Sequence, residues 1–206
     1  MPLNKNNQVI IRVWTSEYNQ TAPGENVGHI SLAIGENEDT YVSFWPTAAG
    51  KANTKSPAPG FFKPIDSERK IDFQADLAAE ERPPELTFAL YSLNAVTMRE
   101  KFDDETSKEP GWALIGSNML LNQNSAHSCA SMAYEVLKAG GIYDLLPSKF
   151  SSNLSSAPSP DALARAVIHA KKTELQEYPE TQYFDGPECS KLPDDNPKTG
   201  LRCHIM

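Results

Sequence analysis

Residues 28–46 read GHISLAIGENEDTYVSFWP, and this stretch constrains the fold more than any other. Two runs rich in β-branched and aromatic residues flank the polar tetrapeptide ENED, which predicts two antiparallel strands joined by a hairpin loop. A hairpin is marginal alone and needs further strands or a helix to cover its apolar face. QVIIRVWT (8–15) supplies a strand before it, and LTFALYSL (86–93) supplies another after IDFQADLAAEERPPE, which reads as a lead-in.

Helix signals follow. NAVTMREKFDDETSKEP starts at a capping Asn94 and stops at Pro110. SCASMAYEVLKAGG places Ala133, Val136 and Leu137 at helical spacing before the terminator Gly140-Gly141. SPDALARAVIHAKKTELQ opens with Ser159 as cap, Pro160 at the first position and Asp161 in the first turn, with Leu163, Val167, Ala170 and Leu175 as its buried stripe. GWALIGSNMLLNQ fits either a strand or a helix. The expected fold is therefore α+β, an antiparallel sheet of about four to six strands packed on about two to three helices.

With 206 residues, 39% of them hydrophobic, the chain is long enough for one sizeable core, assigned to residues 1–177. Beyond Glu177 come four prolines and no periodicity, so 178–206 is expected to be an extended tail, held to the body by Tyr183 and Phe184. Residues 47–64, rich in Ala, Gly, Pro and Lys, are expected to form a loop or lid beside the hairpin, with Phe61 and Phe62 as anchors or substrate contacts.

The formal charge of −8 excludes a nucleic-acid groove, because no Lys/Arg run exists to neutralise phosphates. The densest basic stretch, KPIDSERK, is interrupted by two acids. No apolar run reaches membrane-spanning length, and the first twenty residues lack a signal-peptide core, so a cytoplasmic protein is expected. Three cysteines, 60 and 14 positions apart, fit neither a disulfide framework nor a zinc pattern. They read as free thiols, with no cofactor implied. A metal site on His29, Cys129 and His127 would lack a carboxylate or second thiol at ligand spacing.

Cys129 lies where the polar run NQNSAHS gives way to a helix. Burial in a core is the commoner fate of a cysteine. At a helix start, however, the macrodipole and the first-turn amides favour thiolate and can hold an oxyanion. A nucleophile needs a base, and the chain has four histidines. His29 sits early in an otherwise apolar strand, where an imidazole must be hydrogen-bonded in the core or face a cleft. His127 is two positions from Cys129, a spacing that points side chains apart. His169 falls off its helix's apolar stripe and should be solvated, and His204 is in the tail.

GHISL…YVSFWP, followed one hundred positions after His29 by SCASMAYEVLKAGGI, resembles permuted papain-like cysteine hydrolases, relatives of the NlpC/P60 superfamily in which a strand histidine precedes a helix-borne cysteine. The resemblance spans about residues 8–145 and implies Cys129 as nucleophile and His29 as general base. Relatives commonly carry a polar residue such as Asn just before the cysteine, where this chain has Ser128. The third group usually comes from the strand after the histidine. There the polar candidates are Tyr41 and Ser43, of which Ser43 is the better acceptor for the ring. A backbone carbonyl, Asn122 or Asn124 are the alternatives. Trp45 is expected to be buried beside the imidazole, in the strand paired with that of His29.

The chain ends CHIM, which fits a prenylation signal on Cys203 with Met206 favouring farnesyl, although His204 is not aliphatic. Read this way, the protein meets a eukaryotic prenyltransferase and associates weakly with membranes, which requires a eukaryotic source or a bacterial effector delivered to a host cell. The expected activity is thiol-dependent hydrolysis or transfer at the amide or ester carbonyl of a protein, peptide or acyl-lipid. The alternative is a catalytically silent papain-like scaffold that binds a partner protein.

Overall fold

The hairpin forms as its sequence predicts: β2 (His29–Ile34) pairs antiparallel with β3 (Thr40–Val42), with Leu32 opposite Val42 and Ile34 opposite Thr40. Gly35 and Glu38 turn the chain at positive φ, and the Glu38 amide donates to the Gly35 carbonyl at 3.0 Å. These elements come from a computed structural model, which describes residues 7–16, 28–47, 64–114, 126–147, 158–187 and 189–191. The loop expected at 47–64 lies outside them except for Thr47 and Pro64, as do Asn122, Asn124, Cys203 and His204.

β1 (Val9–Trp14) pairs with β2 on one side and with β6 (Leu86–Leu90) on the other, completing a four-stranded antiparallel sheet in the order β3-β2-β1-β6. The sheet is buried on both faces, which is why β1 reads as apolar throughout except for Arg12 rather than as an alternation. One face carries Val9, Ile11, Ile30, Leu32, Phe88 and Leu90 into the main core. Three helices meet it there: α2 (Ala95–Ser107), α3 (Cys129–Ala139) and α4 (Pro160–Glu177), through residues such as Met98, Met132, Leu137 and Val167. Two of them start at the caps read from the sequence, Asn94 and Ser159, and the third is capped by Ser128. The fold is α+β with an antiparallel sheet packed on helices.

The opposite face, with Ile10, Ala33, Tyr41, Ala89 and Tyr91, is covered by Phe73, Phe184 and Cys189. Phe73 opens α1 (Phe73–Glu80), a helix within the segment read as a lead-in; the Asp72 side chain caps it by accepting from the Ala75 amide at 2.8 Å.

The extended tail expected from residue 178 is also revised. A 3-10 turn, Pro179–Tyr183, follows α4, and Thr181 within it is fully buried. The Tyr91 hydroxyl donates to the Phe184 carbonyl at 2.7 Å, Lys171 pairs with Asp185 at 2.8 Å, and the Ser190 amide donates to the Thr87 carbonyl at 2.6 Å. Phe184 anchors this segment as expected, whereas Tyr183 is 80% exposed. Prolines remove donors without preventing side-chain docking, so composition alone misjudged residues 178–191.

The run TYVSFWP is not one strand. It breaks at Ser43, and β4 (Phe44–Pro46) pairs instead with β5 (Ser67–Arg69), with Trp45 opposite Glu68. The Ser43 carbonyl accepts from the Lys70 amide, on the β5 side. Trp45 therefore lies in a strand paired with β5, not with the strand of His29. Gly111–Trp112 (β7) forms a short parallel pair with Ala126–His127 (β8), which resolves the start of the ambiguous segment as strand.

Candidate functional site

His29 is the first residue of β2, and the backbone before it has little freedom. Gly28 has φ +74°, and a Cβ there would lie 2.6 Å from the Trp14 carbonyl oxygen, so only glycine fits this approach to β1. The imidazole is 2% exposed and sits between Trp14, at 5.4 Å between ring centroids, and Trp45, at 4.3 Å. The expectation of a buried Trp45 beside the ring thus holds despite the change of sheet.

The group that anchors this ring is Asp76, fully buried on α1. Asp76 Oδ1 accepts from Ser43 Oγ at 2.7 Å and Trp45 Nε1 at 2.9 Å; Oδ2 accepts from the Tyr41 hydroxyl at 2.7 Å and lies 3.4 Å from His29 Nε2. Because Ser43 gives its proton to Asp76, its oxygen is free to accept from His29 Nε2–H at 3.2 Å. Nε2 is therefore the protonated nitrogen toward Asp76 and Ser43, leaving Nδ1 for the other neighbour.

That neighbour is Cys129, near enough for its side chain to help raise the His29 pKa. Cys129 is the first residue of α3 and 8% exposed. The helix start is held by a capping box: Ser128 Oγ accepts from the Ser131 amide at 3.1 Å, and Ser131 Oγ accepts from the Ser128 amide at 2.8 Å. The Met132 amide closes the first helical bond onto the Ser128 carbonyl. Cys129 and Ala130 are then the first-turn amides without a helical or capping acceptor among the described residues.

The electrostatics follow from this packing. Burial pushes the His29 pKa down, but the Asp76 carboxylate and Cys129 outweigh it and raise it from 6.5 to about 9. Burial pushes the Asp76 carboxyl up, and His29, Ser43 and Tyr41 overcome this and hold it at about 2. Burial and the neighbouring Asp76 push the Tyr41 phenol up, so it remains a donor. The Asp76 carboxylate thus favours a charged imidazole at neutral pH.

The sequence thus located three of the grouped residues, Cys129, His29 and Ser43, and the structure brings them together. It missed Asp76, which comes from a helix about forty residues beyond the histidine strand rather than from the next strand. The signals that mark α1 are a capping Asp72, the helix-forming run QADLAAEE and the stop at Pro83-Pro84. His127 does point elsewhere, to Glu105 at 3.2 Å and Ser131 at 3.3 Å. His169 is half-buried on α4 rather than solvated. Among the described residues no cluster of His, Cys, Asp and Glu could hold a metal ion, and no helix is long and apolar enough to cross a membrane.

Comparison with known protein families, curated proteins and solved structures finds no match to this chain.

Proposed function

We propose that the protein is a papain-like cysteine hydrolase or acyl-transfer enzyme, with Cys129 as nucleophile, His29 as general base and acid, and Asp76 orienting the imidazole. The observation that carries this reading is the grouping of a helix-start thiol with a buried imidazole whose Nε2 faces a buried carboxylate. A satisfied core histidine needs one partner at each nitrogen. It does not need a thiol at a helix start as one and a carboxylate held by three other donors as the second.

The chemistry runs as follows. The thiolate of Cys129 adds to the carbonyl carbon of an amide or ester, forming a C–S bond while the carbonyl π electrons move to oxygen. The amides of Cys129 and Ala130 donate to that oxyanion. Collapse re-forms the carbonyl and breaks the C–N or C–O bond, and His29 Nδ1–H protonates the departing amine or alcohol. The thioester is then released by water, or by another nucleophile in transfer, which gives a proton to Nδ1 as it attacks and regenerates the thiolate. Asp76 keeps its proton balance fixed and stabilises the imidazolium between these steps. Ser43, expected to orient the ring itself, acts alongside Asp76 by bridging it to Nε2 and Trp45.

The test is active-site labelling of the native protein with thiol-reactive peptide and acyl mimics at pH 6, read by mass spectrometry. Cys129 is expected to be labelled well ahead of Cys189, and His29→Ala to abolish the difference while leaving the protein folded. Loss of a general base typically lowers turnover by about two to four powers of ten. Equal slow labelling of both cysteines in the native protein would remove the nucleophile assignment.

A further inference from the structure

A second buried histidine lies directly before the nucleophile helix, and the proposed chemistry does not use it. His127, on β8, is 4% exposed. Its Nε2 lies 3.2 Å from Glu105 Oε2 on α2, and its Nδ1 lies 3.3 Å from Ser131 Oγ on α3. Glu105 is itself buried and ion-paired with Lys101 and Lys108, and Phe44 meets the imidazole edge-on at 6.3 Å.

The polarity of this chain is fixed by its ends. Burial pushes the Glu105 carboxyl up, but Lys101 and His127 outweigh it and hold it at about 2, so Glu105 is an anion and can only accept. Burial lowers the His127 pKa more than Glu105 raises it, so the imidazole is neutral. Its proton is then on Nε2, toward Glu105, and Nδ1 accepts from the Ser131 hydroxyl. Ser131 Oγ in turn accepts the Ser128 amide at 2.8 Å, the residue immediately before Cys129. The charged groups that act on His127 are Glu105 and Lys101 from α2 and Glu135 from α3.

The line Glu105–His127–Ser131 has the residue types of a hydrolytic serine array, but the serine oxygen is spent closing the capping box of α3. The line ends on the Ser128 amide, in the backbone that presents Cys129. We propose that His127 is a positioning residue for the nucleophile: it locks the Ser131–Ser128 capping box from outside and thereby holds the Cys129 sulfur against His29. The proposal rests on the Cys129–His29 reading above. It adds a support that ties the nucleophile helix to α2 through one imidazole.

The experiment is the rate of iodoacetamide labelling of Cys129 against pH in the full-length protein, with Cys189 as internal reference. His127→Ala should slow Cys129 labelling at pH 6 by about tenfold or more, because an unheld first turn no longer keeps sulfur and imidazole in register. His127→Gln, whose amide can donate to Glu105 and whose oxygen can accept from Ser131, should restore the rate to within about threefold. Val167→Ala, which loosens α4 instead, serves as a control of comparable melting temperature and should keep the wild-type pH profile. A His127→Ala profile matching wild type, or a Gln variant no better than Ala, would overturn the proposal. A His29→Ala arm separates the two readings: if it too labels like wild type, the Cys129–His29 reading has failed, whereas loss in that arm alone sinks only the role of His127.

Discussion

Replacing Asp76 with Asn keeps the size of the side chain and removes its charge, which isolates what the carboxylate does for His29. Asn Oδ1 can still accept from Ser43 and Trp45, the bonds now made at 2.7 and 2.9 Å. The new amide faces the Tyr41 hydroxyl, which can accept from it by turning its proton from residue 76 to Ser31 Oγ, 2.9 Å away. His29 has no such choice, because its Nε2–H then meets an amide N–H. The carboxyl is held at about 2 against a usual 3.8, which corresponds to about 2 kcal/mol of native-state stabilisation at neutral pH, and the variant should lose about that much. The larger effect is chemical. Without the anion, burial dominates the imidazole, its pKa falls from about 9 toward the acid side, and the ring can turn to offer the wrong nitrogen to Cys129. Cys129 alkylation at pH 6 should fall by about a hundredfold or more, with Cys189 labelling unchanged. Urea denaturation and a pH series of labelling rates measure both quantities. A variant that loses the stability but labels Cys129 at the wild-type rate would show that Asp76 is a core anchor and not part of a reactive array.

Stability should depend on pH in two limbs. The Asp76 contribution is complete above about 3.8 and lost as pH falls toward about 2; the His29 contribution is complete below 6.5 and lost as pH rises through about 9. Both shifts contain the same Asp76–His29 interaction, so the losses are not additive. A melting temperature that stays flat from pH 6 to 10 would contradict the high-pH limb. Gly28→Ala should cost about 1–3 kcal/mol in chemical denaturation, because its Cβ would meet the Trp14 carbonyl at 2.6 Å with φ at +74°. Wild-type stability of that variant would refute the steric argument. Glu174→Leu should cost about 3–5 kcal/mol, since Glu174 accepts from the Tyr91 and Ser92 amides and pairs with buried Lys171. Adding Lys171→Met should recover part of the loss in the same assay, and a single variant as stable as wild type would rule out a structural ion pair.

What the sequence made legible follows the hydrophobic signal. β1 and β2 are mostly apolar runs buried along their whole length, and the three long helices bury apolar residues at a regular period behind caps that satisfy first-turn amides. The parts that escaped are those where a buried position holds a polar group. In α1 the only fully buried side chain is Asp76, so a search for an apolar stripe finds nothing to mark the helix. At the far end of α4 the inward positions are Lys171 and Glu174, and the predicted Leu175 is only half-buried. Ser43 breaks a strand that its flanking Val42 and Phe44 would continue, because its hydroxyl is committed to Asp76 and His29 and its carbonyl to the β5 side. Glu105 and His127 repeat the pattern beside the nucleophile helix. Each of these groups is costly to bury alone and stable only with partners from distant segments, so none has a local signature. Yet all of them except the Lys171–Glu174 pair converge on Cys129 and His29. A core that only had to be stable could replace such a network with apolar residues at little cost. Its presence around one thiol and one imidazole is the reason to look for chemistry there, and the labelling rate of Cys129 is the quantity that decides it.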